Sequence, residues 1–328
     1  MKANGTRIRF VSRFVAAIAI LWFATGCSST SILDAYTSPA PPVNGHVYLI
    51  RGLIGEVFSR GLDDLADKIN RRGLGASVHG LFEADSLTEE IIRKYKTDPS
   101  SAPIILLGHS SGGDAIISMA KKMKVANIPV GILFGFDPTP LAGRVPNNVE
   151  LFVNLFQKTN PIGGGVVKPG DGFHGRLINI DLREHNEIIH ITLDKSSTIH
   201  DLIVNEIMDF VGYDGKNQIS GPAAVVLSQA KYQRPVPASA PSAIRPFVLD
   251  YIVPRSEPIE IWDSGIQITP RPGEDLQTIA RNYRVPVWLV AQVNKIPPDS
   301  IVEPGKMLVI PQQLYRPNRS ASDVGTSR

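Results

Sequence analysis

The stretch Gly108-His109-Ser110-Ser111-Gly112 carries the residues best suited to nucleophilic chemistry. A serine hydroxyl becomes a nucleophile when a neighbouring imidazole takes its proton and a carboxylate orients that imidazole. Glycines on both sides of Ser110 allow a strand and a helix to approach closely around a tight turn. We therefore expect Ser110 to project its hydroxyl from such a turn, with an Asp and a His supplied from elsewhere in the chain.

The flanking sequence predicts the elements that would position Ser110. The apolar run Ile104–Leu107 predicts a buried strand before the turn, and residues 115–123 predict a helix after it. The amino end of that helix would place amides and a positive dipole near a developing anion. Strand and helix patterns alternate from His46 to Tyr213, which predicts an α/β fold with a mostly parallel sheet covered by helices. Catalytic groups would then lie beyond the carboxyl ends of the strands.

In this context the motif resembles the nucleophile elbow of the α/β-hydrolases, with the resemblance covering residues 46–213. It implies a serine hydrolase, esterase- or lipase-like, whose triad follows the chain order Ser, acid, His. The acid it implies is Asp137, which follows the predicted strand Val130–Phe136 as in lipase-like members. Asp181, one strand later, is the alternative acid.

The histidine of the triad is taken from seven in the chain. The resemblance implies His190, in the loop before the last predicted helix. His200 lies inside that helix, roughly 90° from the centre of its apolar stripe, and is predicted to lie on the helix surface. His174 and His185 are further alternatives. His109 is interpreted as a neighbour that lines the pocket.

The oxyanion hole implied by the resemblance uses two main-chain amides. One belongs to Ser111 and the other to Leu53, in the loop after the first long strand. That loop has Arg51-Gly52 where the family commonly has His-Gly. The segment Asn160–Gly175, which contains three consecutive glycines, is interpreted either as a flap beside the site or as a plain solvent loop.

The amino terminus resembles a bacterial lipoprotein signal. A basic segment precedes an apolar run, residues 14–24, that is too short to span a bilayer comfortably. Ala24-Thr25-Gly26-Cys27 then resembles a lipobox, although Leu is more usual than Ala24. The resemblance implies a signal peptide over residues 1–26, lipidation of Cys27, and a lipid anchor in the outer membrane facing the periplasm. An ordinary secretory signal is the alternative.

Cysteine count and charge narrow the remaining possibilities. Cys27 is the only cysteine, so no disulfide can form within the chain. The formal net charge of +3 falls to about −1 when the four basic side chains of residues 1–26 are removed. Nucleic-acid binding is therefore not expected. The sequence has no metal-ligand cluster, Walker loop or dinucleotide fingerprint, so neither a metal nor a cofactor is expected.

Composition and the resemblances together predict six segments. They are the signal peptide (1–26), a lipidated tether (27–45), the hydrolase-like domain (46–213), a Pro-rich linker (214–265), a small domain (266–311) and a disordered tail (312–328).

The small domain resembles a LysM module over nearly its full length. A strand, two helices and a returning strand are predicted in the order given by PGEDLQTIARNY, VPVWLVAQVN and EPGKMLVIP. Such modules bind polymers that contain N-acetylglucosamine, in bacteria mainly peptidoglycan. The resemblance implies a groove with Gly273, Asp275 and Leu276 on one side and Ile296 and Pro297 on the other. A βααβ packing module without glycan affinity is the alternative.

These features predict a serine hydrolase of the cell envelope that acts on esters or lipids and is retained at peptidoglycan. Two other functions remain open. The Arg51-Gly52 departure favours a non-catalytic wall-binding lipoprotein on a degenerate hydrolase fold. The LysM resemblance also fits a hydrolase of cell-wall acyl groups.

Overall fold

The computed structural model describes residues 43–212, 247–303 and 305–314. The predicted signal peptide, the lipidation site Cys27 and most of the predicted tether lie outside the described residues. The same holds for residues 214–246 of the predicted linker and for residues 315–328 of the predicted tail.

Seven strands form one parallel sheet in the order β2-β1-β3-β4-β5-β6-β7. They are β1 (Val43–Ile50), β2 (Leu74–His79), β3 (Ile104–His109), β4 (Val130–Phe136), β5 (Val149–Phe156), β6 (Arg176–Asp181) and β7 (Phe247–Ile252). The central strands read as continuous apolar runs because both of their faces are covered, as parallel sheets require.

Helices cover both faces of this sheet, as predicted. They are α1 (Gly55–Phe58), α2 (Gly61–Arg71), α3 (Ala84–Thr97), α4 (Ser111–Val125) and α5 (Ser197–Phe210). Alternate residues of β1 enter opposite cores: Val47 and Leu49 pack with α2 and α5, whereas Tyr48 and Ile50 pack with α3 and α4. This alternation follows from the two-residue period of a strand.

The predicted linker 214–265 is wrong from Phe247 onward. Residues 247–252 form β7, which pairs in parallel with β6 and supplies the seventh strand of the sheet. Leu249 and Tyr251 are buried while Val248 and Asp250 are exposed, as expected for an edge strand with one covered face. The strand satisfies the backbone groups that β6 would otherwise expose.

The small domain has the predicted order of elements. It consists of β8 (Trp262–Ile268), α6 (Leu276–Tyr283), α7 (Val287–Asn294) and β9 (Leu308–Gln313), with β8 and β9 antiparallel. Asp275 caps α6 by accepting a 2.6 Å hydrogen bond from the amide of Thr278.

The small domain packs on the edge of the large sheet. The side-chain amide of Gln292, on α7, accepts from the amide of Ile252 and donates to its carbonyl, both at 2.9 Å. In this way one side chain satisfies the outer backbone groups of β7 at that residue. Arg176 on β6 also forms a 2.7 Å ion pair with Asp263 on β8.

We expect Gln292→Ala to lower the free energy of unfolding by about 1–3 kcal/mol, because both hydrogen bonds to Ile252 are lost. Urea unfolding of the full chain in detergent, followed by tryptophan fluorescence, measures this. The control Gln277→Ala removes an exposed amide whose hydrogen bond to the carbonyl of Pro298 is 3.5 Å long. Equal effects of the two substitutions would contradict the role of Gln292.

Candidate active site

Ser110 occupies the turn between β3 and α4. Its φ of 56° and ψ of −127° lie in a region that a residue with a side chain rarely adopts, at a cost of about 1–3 kcal/mol. The amide of Ser110 donates to the carbonyl of Phe136 at 2.9 Å, which holds the turn against the end of β4. A Cβ at Gly108 would collide with the main chain of Gly112, so the close strand–helix approach predicted from these glycines is present.

Asp137 and His190 form the hydrogen bond that a triad requires. Asp137 directly follows β4, is completely buried, and its Oδ2 lies 2.8 Å from Nδ1 of His190. Since a carboxylate can only accept, Nδ1 of His190 must carry the proton. Nε2 of this imidazole is then the nitrogen able to accept a proton.

A loop from the end of β5 wraps the Asp137 carboxylate. Its donors are the amide of Gly164 at 2.6 Å, the amide of Gln157 at 3.4 Å and the side-chain amide of Asn160. A Cβ at Gly163 would lie 2.6 Å from Oδ1 of Asp137, so only glycine fits there. The first part of the segment predicted as a flap or solvent loop therefore contacts the acid. Sequence reasoning missed this role, although it singled out the three glycines.

The other candidates for acid and base have different partners. Asp181 accepts from its near neighbour Arg183, with Nε at 2.7 Å, and from the amide of Lys158. His185 lies between Glu187 and the carbonyl of Pro254. His174 is exposed and faces the carbonyl of Gly172.

The surface position predicted for His200 is wrong. Its side chain is 2% exposed, and Nε2 donates to the carbonyl of Asp194 at 2.5 Å. The turn at residues 193–195 folds over this side of α5 and buries it. Burial lowers the pKa of His200, because the charged form loses its hydration.

Asp194 anchors the segment that follows His190. Its buried carboxylate accepts from the amide of Gly61, at the start of α2, at 3.0 Å. Burial raises the pKa of Asp194 to about 6, because the charged form loses its hydration. The loop that carries His190 is thus fixed to α2 as well as to Asp137.

The structure brings Ser110 and His190 to the same edge of the sheet without a hydrogen bond between them in the described part of the chain. His109 lies beside both, since it precedes Ser110 and its ring centroid is 4.9 Å from that of His190. Catalytic hydrogen bonds often tighten only when substrate binds.

The two predicted oxyanion residues are neighbours. Ser111 opens α4, and the amide of Leu53 donates to Oγ of Ser111 at 2.9 Å. Arg51 turns away from this point and donates to Asp63 at 2.6 Å and to the carbonyl of Ser59 at 3.2 Å. A carbonyl oxygen bound at the Leu53 amide would take the place of the Ser111 hydroxyl.

The residues predicted for the glycan groove differ in accessibility. Gly273, Asp275, Ile296 and Pro297 all have at least part of their surface exposed. Leu276 is completely buried, and its amide donates to the carbonyl of Ser300 at 3.2 Å. The side chain of Leu276 thus belongs to the core of the small domain, and its place in the glycan groove stays a prediction.

Comparison with known proteins identifies the small domain. Residues 271–311 match the LysM domain family, and this part of the chain is a LysM domain. None of the curated proteins compared with the chain matches it.

Three solved structures illustrate the structural neighbours of the larger part. Est1E from Butyrivibrio proteoclasticus is 11% identical, covers 53% of this chain and 90% of its own, and has a TM-score of 0.32. The NocB thioesterase domain from the Nocardicin cluster is 16% identical, covers 49% of this chain and 93% of its own, and has a TM-score of 0.31. A protein from Xanthomonas campestris pv. campestris that is assigned to the alpha/beta hydrolase superfamily is 16% identical, covers 46% of this chain and 94% of its own, and has a TM-score of 0.29. At these scores the neighbours carry no inference about activity.

The larger part has an α/β-hydrolase fold on its own geometry, with a parallel sheet, helices on both faces and a serine at a strained strand–helix turn. No helix in the described ranges is both long enough and apolar enough to cross a membrane. Within the same ranges, no group of three or more His, Cys, Asp or Glu side chains is arranged to hold a metal ion.

We expect Gly163→Ala to lower the free energy of unfolding by about 1–3 kcal/mol, because the new methyl group displaces the buried Asp137 carboxylate. Urea unfolding of the full chain measures it. The control is Gly80→Ala, where the nearest atom would lie 3.9 Å from the new Cβ. Equal free energies of unfolding for the two variants would contradict the close contact between Gly163 and the Asp137 carboxylate.

Proposed function

We propose that this chain is a serine hydrolase of the bacterial cell envelope that cleaves carboxylic ester bonds. The observation that supports it most is the 2.8 Å hydrogen bond between His190 and the buried Asp137, beside a serine on a strained turn. Such an arrangement costs stability and is typical of an activated nucleophile. Ser110 is the nucleophile, His190 the base and Asp137 the orienting acid.

The reaction follows from these roles. Oγ of Ser110 attacks the ester carbonyl carbon while its proton passes to Nε2 of His190. The amides of Ser111 and Leu53 stabilise the oxyanion. As the intermediate collapses, the carbon–oxygen ester bond breaks and the leaving alcohol takes the proton from His190. Water, activated by the same imidazole, then releases the acid from Ser110.

The surroundings of the site favour an apolar acyl group. Nine of the fifteen exposed large hydrophobic side chains in the described ranges follow the carboxyl ends of β1, β4, β5 and β6. We expect them to form one surface at this edge of the sheet, because contiguous exposed apolar patches mark binding surfaces. This apolar rim consists of Leu53, Ile54, Val57, Phe58, Leu141, Ile162, Val166, Ile189 and Ile191.

The LysM domain and the amino terminus support a place in the envelope. LysM domains bind peptidoglycan and related N-acetylglucosamine polymers, so residues 271–311 would retain the enzyme at the wall. Gly273, Asp275 and Leu276 would line one side of the glycan groove. Ile296 and Pro297 would line the other. Cleavage after residue 26 and lipidation of Cys27 would anchor the chain in the outer membrane.

A fluorophosphonate probe tests the catalytic proposal. We expect the full chain in detergent to be labelled and Ser110→Ala to be unlabelled, because the probe reacts only with an activated serine. Asp137→Asn should slow labelling by about 10³–10⁴-fold through loss of the imidazole orientation. The matched control is Asp181→Asn, which should keep most of the labelling. Absence of labelling in the unaltered chain would favour the wall-binding function without catalysis.

Acyl-chain dependence tests the apolar rim. We expect kcat/KM for p-nitrophenyl esters to rise from acetyl to octanoyl, by up to about fourfold for each methylene that becomes buried. Ile162→Ser should weaken this preference and leave acetyl ester turnover unchanged. Val125→Ser, at an exposed site at the far end of α4, is the control. A flat dependence on chain length would contradict an acyl site at the rim.

A further inference from the structure

A line of hydrogen bonds joins the loop after β1 to the main chain of His190. The amide of Gly52 lies 3.3 Å from Oγ of Ser59, and this hydroxyl lies 2.7 Å from Nδ1 of His109. On the other side of the ring, Nε2 of His109 lies 2.8 Å from the carbonyl oxygen of His190. The line therefore runs from the proposed oxyanion loop through the elbow to the proposed base.

Elementary chemistry fixes the direction of every bond in this line. The carbonyl of His190 can only accept, so Nε2 of His109 carries the proton. Nδ1 is then an acceptor, and its donor is the hydroxyl of Ser59. The oxygen of that hydroxyl in turn accepts from the amide of Gly52. His109 is thus held as a single neutral tautomer.

Burial gives these bonds their strength. Ser59 and His109 are each 1% exposed, so a polar atom left without its partner here would be costly. Burial also lowers the pKa of His109 to about 4, which keeps the ring neutral at ordinary pH. The ring therefore does not compete with His190 for the proton of Ser110.

The line also accounts for Arg51. Its guanidinium donates to the carbonyl of Ser59 and to Asp63, so it fixes the residue whose hydroxyl sets the tautomer of His109. Arg51 thus fastens the Ser59 end of the line.

From this geometry we infer that Ser59 and His109 are positioning residues that set the place of the His190 imidazole relative to Ser110. The inference rests on the proposed function. Asp137 holds the His190 ring by its side chain, and His109 holds the same residue by its main chain. One attachment comes from the last residue of β3 and the other from the residue after β4. Together they fix the ring, and an error of about 1 Å in such a position can cost 10²-fold in rate.

Turnover of an octanoyl ester by the full chain is the first test. His109→Leu removes both bonds and should lower kcat by about 10–100-fold with little change in KM, because binding groups are untouched. His109→Gln can still donate an amide hydrogen to the His190 carbonyl and should recover most of kcat. The kcat of Ser59→Ala should lie between those of the two His109 variants, since His109 can then adopt the other tautomer.

A second histidine–serine pair, on β1 and β2, serves as the control. His46 on β1 lies 2.9 Å from Oγ of Ser77, and burial lowers its pKa to about 4, as for His109. His46→Leu and Ser77→Ala should therefore leave kcat close to that of the unaltered chain. If His46→Leu lowers kcat as much as His109→Leu, or if His109→Leu changes kcat less than twofold, the inference is wrong.

Nitrogen NMR of the full chain labelled with ¹⁵N-histidine gives a readout that does not depend on turnover. We expect His109 as the Nε2–H tautomer, assigned through His109→Gln. The Nδ1 proton of His190 should resonate at low field and be lost or shifted in His109→Leu but retained in His46→Leu. An Nδ1–H tautomer of His109, or an unchanged His190 proton, would overturn the inference. Failure of the proposed function is distinguishable, because it removes ester turnover and probe labelling while leaving these resonances.

Discussion

The burial of the Asp137 carboxylate is the constraint on which the site depends. A completely buried anion is stable only when its oxygens are satisfied, and an unpaired one would cost several kcal/mol. The chain meets this requirement with two main-chain amides, the side-chain amide of Asn160 and the imidazole of His190. The same bonds that stabilise the charge also select the tautomer of His190. The burial of this carboxylate and the tautomer of His190 therefore depend on one hydrogen bond.

The parallel sheet explains why these groups meet although they are far apart in the chain. Because all seven strands point the same way, the segments after β1, β3, β4, β5 and β6 leave from one edge. Ser110 is fixed there by its amide bond to Phe136, the last residue of β4, directly before Asp137. The turn at Ser110 is thus held by the residue that precedes Asp137, so the strain at Ser110 is supported by the strand that leads into Asp137.

Local patterns predicted the parts of the fold that depend on local physics. The apolar run of β3, the glycines around Ser110 and the βααβ order of the LysM domain are encoded within short stretches, and the structure has them. The candidate pair Asp137 and His190 came from a resemblance, and the hydrogen bond between them agrees with it. The loop that surrounds Asp137 could not be predicted in the same way. Asn160 and Gly164 bond to a carboxylate more than twenty residues earlier in the chain, and no local pattern encodes such a contact. The predicted surface position of His200 is wrong because a helical stripe takes no account of a turn that covers the flank of the helix.

The error at β7 changes how the two domains are connected. Leu249 and Tyr251 lie two residues apart, as one covered face of a strand requires. The preceding prolines nevertheless favour a linker over the whole stretch. With residues 247–252 in the sheet, the Pro-rich stretch precedes the last strand of the hydrolase fold and does not separate it from the LysM domain. Only nine residues, 253–261, then join β7 to β8, and Gln292 and Asp263 reach back to the large sheet. These contacts hold the LysM domain against the sheet. Glycan binding would therefore restrict both the position of the edge that carries Ser110 and its distance from the wall.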